Sequence, residues 1–379
     1  MVLLYDSDPS MEGEMSVLSK SFLSIIILTC GYISTTFSAQ PLPNWIDHSR
    51  EKSDGLNPKH SMIPSPPPES FRLMAEYEKA KAVVMGWSGY SSMLTEIAKF
   101  ASMEGNAEIW VVSGPESIPT VPADKHIKLS CPLNTVWMRD YGPFGITEST
   151  NSLGIVDSVY RHFSYRRYDD QIPTCISHKQ NIEVFAMNLI LDGGNLMVDR
   201  HGNLFMTKVT YDWNNTKTKE EVDNLLKEYF NVKTIHALDY AGYPSYPADG
   251  TGHIDMFVKL LNDETVLIAQ SENEPFKSNC QKAYEYFKKL KTPSGNDYKI
   301  LRVKGWSNGR TWYTYTNSLI VNNVVLVPSF SAAPAENQNA IKIYQEGIPG
   351  VQVRLINSDS SITSGGAIHC VTQLIPAIE

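Results

Sequence analysis

The sequence predicts an α/β protein built of small repeated sheets rather than one doubly wound sheet. Three observations lead there. From Phe71 onward, short apolar runs alternate with helical patterns, giving about five strand–helix–strand units. Hairpins interrupt the alternation, as around residues 199–203 and 322–323. No Gly-rich phosphate loop follows a first strand. Small sheets arranged radially fit that pattern best.

Taken in order, residues 82–87 and 108–112 are apolar enough for buried strands, and 93–101 between them has helical spacing. Residues 135–139 read as a third strand that delivers Asp140 at its exit. Strands follow at 153–160 and 182–190, with a hairpin at 196–208. Thr218 and Glu221 form a capping box that opens a helix whose apolar face is Val222, Leu225, Leu226, Tyr229 and Phe230. A strand at 232–237 comes next. Residues 253–261 read as β, which points His253 and Asp255 to one side. Beyond them lie a strand at 265–269, a helix at 276–290 and a strand at 299–303. A hairpin at 312–321 and 324–327 holds Asn317 inside its first strand. A helix at 335–346 and a strand at 351–356 precede the cysteine stretch, 365–373.

The front end differs. Residues 21–29 are an apolar run preceded by Lys20 and followed by small residues, with Ser38 or Ala39 at the cleavage position. Residues 1–39 therefore read as a secretory signal, too short for a membrane span, and the protein as secreted or periplasmic. The acidic residues Asp6, Asp8, Glu12 and Glu14 do not suit a signal, and Met15 is the better start. Residues 40–70 are rich in proline and polar groups and read as an extended linker, leaving 71–379 as a single catalytic domain. The formal net charge of −8 and the absence of a basic run exclude a nucleic-acid partner. An oxidising compartment permits a disulfide among Cys131, Cys175 and Cys280, whose pairing spacing leaves open. Nothing in the sequence has metal-ligand spacing.

The chemistry concentrates in four stretches. Gly365 and Gly366 lead into Cys370, and a deprotonated thiol is the strongest protein nucleophile near neutral pH. Upstream stand the segments at 137–143 with Trp137 and Asp140, 192–195 with two glycines, and 252–255 with His253 and Asp255. Together they supply a nucleophile, a titratable base and carboxylates. A Cys–His–Asp acyl-transfer enzyme needs only one carboxylate, so two grouped with a thiol point instead to a cationic carbon centre.

With two more, these stretches read WMRDYGP, DDQIP, DGGN, GHIDMFVKLL, YTNSLIVNNVVLVP and GGAIHCVTQ, in that order over roughly residues 75 to 376. With them the chain resembles the peptidylarginine deiminase family of the Porphyromonas type, whose other large branch is agmatine deiminase. The resemblance implies a five-bladed α/β-propeller and a cofactor-free cysteine hydrolase. It implies Asp140 and Asp255 as guanidinium-binding carboxylates, His253 as general acid/base, Cys370 as nucleophile, and Asn317 and Trp137 at the substrate. Arg166 matches one of two arginines that hold a substrate carboxylate, while the other position is Ser164, with Arg167 nearby. The expected activity is secreted deimination of peptide or protein arginine, with agmatine deimination as the alternative.

Overall fold

The computed structural model describes residues 40–55, 63–148, 152–242 and 250–378. The expected signal segment, 1–39, lies outside them. The apolar runs form strands Ala80–Gly86, Glu108–Val112, Leu153–Val159, Thr265–Gln270 and Val324–Ser329, among others. Val83, Val84, Met85, Val266, Leu267, Ile268 and Val324 through Val327 are buried, as in strands covered on both faces.

One pattern recurs five times. A strand pairs antiparallel with the next strand, which then crosses over through a helix to a parallel neighbour. Four units are consecutive. They begin with Phe144–Thr147, Met197–Val198, Val258–Leu260 and Leu319–Val321, each pairing with the strand that follows it. Their parallel members are Glu183–Ile190, Thr234–Leu238, Lys299–Lys304 and Gln352–Asn357. The fifth joins distant parts of the chain. Thr372–Pro376 pairs antiparallel with Ala80–Gly86, which runs parallel to Glu108–Val112. The crossover helices include Ser91–Met103, Ile172–Gln180, Lys219–Phe230, Phe276–Phe287 and Pro334–Gly347. Among the described residues no helix is long and apolar enough to cross a membrane.

The helices follow their sequence signals. Ser91–Met103 buries Met93, Leu94, Ile97, Ala98 and Ala101, one stripe at helical period. Lys219–Phe230 opens on the expected box: Thr218 Oγ1 accepts from the Glu221 N–H at 3.2 Å, and Glu221 Oε2 accepts from the Thr218 N–H at 2.6 Å. Its buried face is Val222, Leu226, Tyr229 and Phe230, with Leu225 only half-buried.

Of three expected strands, one does not form and two are shorter than the sequence suggests. Residues 135–137 are irregular and Met138–Tyr141 is a helical turn. Ile254–Met256 is a 3₁₀ turn, and the strand begins only at Val258. The span expected as one strand around Asn317 breaks into Trp312–Tyr313 and Leu319–Val321 with a bend between them. The linker reading of 40–70 also changes. Pro43, Asn44 and Glu51 are buried against the domain, and Asn44 N–H donates to the Ser364 carbonyl at 2.7 Å.

The open disulfide choice resolves to Cys131–Cys175, with Cys280 buried outside the bridge. The bridge joins the segment leading to Asp140 to the helix Ile172–Gln180, closing a loop of sequence separation 44. A loop of that length is worth about 2–4 kcal/mol. Replacing both Cys131 and Cys175 by Ser should lower the thermal unfolding midpoint by roughly 5 °C or more, measured by calorimetry, while leaving the folded spectrum intact.

Candidate active site

Each of the five units places a turn just ahead of its antiparallel strand, and these turns carry the site. Asp140 sits in Met138–Tyr141, before Phe144. Asp192 precedes the 3₁₀ turn Gly193–Asn195, before Met197. His253 and Asp255 flank Ile254, before Val258. Asn317 precedes Leu319, and Cys370 lies in the 3₁₀ turn His369–Val371, before Thr372.

Buried backbone in a turn needs partners that no ladder supplies, and polar side chains provide them. The Asp169 carboxylate accepts from Asn134 N–H at 2.7 Å, Thr135 N–H at 3.0 Å and Thr135 Oγ1 at 2.6 Å, fixing the approach to Trp137. Asn195 Oδ1 accepts from Thr207 N–H at 2.8 Å and Ile254 N–H at 3.1 Å, which pins the His253 turn. Asn317 Oδ1 accepts from Ala367 N–H at 2.9 Å and Cys370 N–H at 3.3 Å, which pins the cysteine turn.

The result is a sealed cluster. Asp140, Asp192, His253, Asp255, Asn317 and Cys370 have no solvent exposure. Asn317 Nδ2 donates to Cys370 Sγ at 3.1 Å and to Asp255 Oδ2 at 3.0 Å, with Sγ and Asp255 Oδ2 3.7 Å apart. His253 Nδ1 is 3.5 Å from Asp140 Oδ1, and its Nε2 is 3.3 Å from Asp192 Oδ2. Gly194 lies between these groups. A Cβ there would stand 2.5 Å from His253 Nδ1, 3.1 Å from Asp140 Oδ1 and 3.2 Å from Asp255 Oδ2. Both oxygens of Asp140 and Oδ1 of Asp255 are buried without a hydrogen bond.

Charge is balanced from behind. Asp255 Oδ2 accepts from His369 Nδ1 at 2.6 Å, and His369 Nε2 is 2.6 Å from Glu76 Oε2. Glu76 also pairs with Lys259, and Arg139 Nη2 stands 3.8 Å from it. Arg161 Nε is 2.7 Å from Asp192 Oδ2. Burial raises the Asp255 carboxyl, but the His369 bond and charge outweigh it and hold it below the usual range. Burial dominates at Asp140, which His253 offsets only in part, so its carboxyl is pushed up to about 7. Burial pulls the His253 imidazole down, and the Asp140 charge together with Asp192 more than reverses this, leaving it raised. Burial, then the charges of Asp255 and Asp140, push the Cys370 thiol well above its ordinary value.

The structure thus brings Cys370, His253, Asp140, Asp255 and Asn317 together, as the motifs suggest. Trp137 is also close: a Cβ on Gly366 would meet Cys370 Sγ at 2.6 Å and the Trp137 ring at 2.9 Å. Arg166 differs. Its guanidinium is fully buried and already bound, with Nε 2.7 Å from Glu51 Oε1 and Nη2 donating to the Pro43 and Trp45 carbonyls at 2.8 and 2.7 Å. It is not available to a substrate carboxylate in this arrangement. In the sequence the stretch 192–195 stands out without a role for Asp192, and nothing singles out Arg161, Glu76, Lys259 or His369. The only available signals were an acid beside two glycines and a histidine beside the nucleophile.

Asp140, Asp192 and His253 offer three ligand atoms within 4.8 Å, a set that could hold a divalent ion. The Arg161 guanidinium against Asp192 already supplies positive charge there and opposes a second cation. A cleft lined by Leu73, Glu76, Tyr77, Arg139, Lys259 and His369 lies behind the ion pairs, and none of Cys370, His253, Asp140 or Asp255 lines it.

Residues 72–376 match the family model described as Porphyromonas-type peptidyl-arginine deiminase. The chain belongs to this family. It is accordingly a C–N hydrolase acting on guanidino groups. A Marinomonas protein named "Putative agmatine deiminase" is 24% identical over 366 residues, covering 83% of this chain and 97% of its own. A Lactococcus lactis protein of the same name is 23% identical, with 82% and 97% covered. The solved agmatine deiminase of Enterococcus faecalis superposes with a TM-score of 0.71 at 21% identity, over 84% of this chain and 99% of that one. The solved Porphyromonas gingivalis protein titled as a putative arginine deiminase gives 0.70 at 21% identity, over 81% and 98%. These likenesses establish the fold that the family shares.

Two outcomes follow from the geometry. Gly194→Ala should lower kcat/KM by roughly a hundredfold in a folded protein, since a displacement of about 1 Å among reacting groups has that effect; steady-state kinetics with circular dichroism tests it. Ionised Asp140 binds a cation and protonated Asp140 does not. Below pH 7, therefore, guanidinium affinity of a Cys370→Ala variant should fall by about tenfold per pH unit. Titration calorimetry should show this slope, and Asp140→Asn should flatten it.

Proposed function

We propose that the protein is an agmatine deiminase-type enzyme that hydrolyses a small guanidine to a ureido product and ammonia. The observation that carries this reading is the sealed cluster. Three buried carboxylate oxygens without hydrogen bonds stand beside a thiol. A guanidinium is planar, cationic and rich in N–H donors, and it satisfies such oxygens bidentately. The closed surroundings and the prior occupation of Arg166 favour a small amine over arginine held by its carboxylate. The names of the Marinomonas and Lactococcus lactis relatives agree.

The residues divide the work as follows. Asp140 and Asp255 hold the guanidinium with its central carbon near Sγ. The bound cation offsets the two charges that keep the Cys370 proton in place, and the thiol releases that proton to solvent as the substrate enters. The thiolate adds to the central carbon. His253, held as imidazolium by Asp140, protonates one amino group, the C–N bond breaks and ammonia leaves. A covalent thiouronium remains on Cys370. Neutral His253 then takes a proton from water, and the hydroxyl adds to the carbon. The C–S bond breaks as the hydroxyl proton passes to the leaving sulfur, which frees the ureido product and restores the Cys370 thiol. Asn317 donates to the sulfur and keeps it in register with Asp255.

The five repeated units are best understood as five blades set around this centre. Their common order of strands supports that arrangement, as does the pairing of Thr372–Pro376 with Ala80–Gly86. A secreted or periplasmic location is proposed on the apolar run at 21–29 and supported by the Cys131–Cys175 disulfide.

Ureido product should be measured from agmatine, free arginine, and peptides with internal or C-terminal arginine. Agmatine should be turned over best; a preference for any peptide would return the reading to peptide-arginine deimination. Cys370→Ser should abolish nearly all turnover. Asp255→Asn should lower kcat/KM more than tenfold, since charge-assisted bonds are worth roughly 1.5–3 kcal/mol each.

A further inference from the structure

Residues 40–51 precede the span 72–376 that the family shares, yet they lie across the catalytic centre. Their contacts fall on the immediate neighbours of the reacting groups. Trp137, beside Cys370, donates its indole N–H to the Leu42 carbonyl at 3.0 Å. Arg161, the partner of Asp192, donates Nη2 to the Asn44 carbonyl at 2.8 Å and to Asn44 Oδ1 at 3.1 Å. Asn44 and Trp45 pack on Gly365, where a Cβ would meet Asn44 Cβ at 3.0 Å. Arg166 is held by Glu51 and by the Pro43 and Trp45 carbonyls. The strap therefore presents main-chain carbonyls to both arginines and a carboxylate to Arg166. A polypeptide ending in arginine carries the same groups.

We infer that residues 40–51 determine specificity: the docked strap closes the chamber around a small guanidine and excludes arginine carried on a peptide, because its own carbonyls and Glu51 occupy the cations a peptide main chain needs. The inference rests on the deiminase reading above. The strap's hold on the domain depends on the Glu51–Arg166 pair, since a buried guanidinium that loses its carboxylate is strongly destabilised. Displacing the strap exposes Arg161 and Arg166 together and opens a path to Cys370.

The test compares wild type with Glu51→Gln in two ways. One is the rate of Cys370 alkylation by iodoacetamide without substrate. The other is kcat/KM for agmatine and for a short peptide ending in arginine. Glu51→Gln should speed alkylation at least tenfold and raise the peptide-to-agmatine ratio at least tenfold, with agmatine turnover kept within about threefold. If Glu51→Gln does not fold, a specific protease site built into the exposed residues 52–55 and cut in the folded protein should give the same two readouts. Unchanged alkylation and an unchanged ratio, with agmatine turnover intact, would overturn the role of the strap alone. Faster alkylation with no guanidine turned over by any form would instead overturn the deiminase reading and the inference with it.

Discussion

Everything at the catalytic centre depends on keeping Asp255 ionised in a dry interior. An isolated carboxylate in such a place would take up a proton. His369 prevents this by bonding Asp255 at 2.6 Å, and it is held in turn by Glu76. Glu76 is kept well below the usual carboxylate range: burial raises it, but Lys259 and His369 outweigh that. The line of alternating charge ends on two buried cations, Lys259 and Arg139, each pulled down by desolvation and supported by Glu76. The residue next to Cys370 in sequence thus anchors the carboxylate that faces the Cys370 thiol. Asp140 has no such backing, which is why it alone of the two is pushed up to about 7.

The division between rigid frame and reactive turn follows from the same need. Strands satisfy their own backbone and tolerate apolar surroundings. A turn presents several side chains to one point, but leaves buried N–H groups that polar side chains must satisfy. Asn195 and Asn317 each do this for the turn of the next functional unit in the chain, at residues 253–256 and 367–370. One amide side chain therefore links neighbouring units and sets the distance between their chemical groups.

Much of this was legible in the sequence. The fully apolar runs could only be buried strands, the helix at 219–230 announced its own cap, and the cysteine, histidine and aspartate motifs named the groups that meet. What failed were the segments at 135–139, 253–257 and 314–318. Each is apolar or β-branched enough to read as a strand, and each is bent by partners far away in sequence, such as Asp169 or Asn195. Local composition holds no trace of such partners. The role of Glu51 was hidden for the same reason. A proline-rich polar stretch looks like a linker, and only the position of Arg166 in space shows what an acid at its end is for.

The order in which the units appear along the chain has a consequence for synthesis. Asp140, Asp192, His253 and Asn317 leave the ribosome in turn, and Cys370 leaves long after the first of them. The strand that seats it, Thr372–Pro376, pairs with Ala80–Gly86, a segment made almost three hundred residues earlier. Until that pairing closes, the thiol has no carboxylates beside it and the carboxylates have no thiol. A nascent or misfolded chain is therefore chemically inert toward the guanidino compounds around it, and reactivity is switched on by completion of the fold itself.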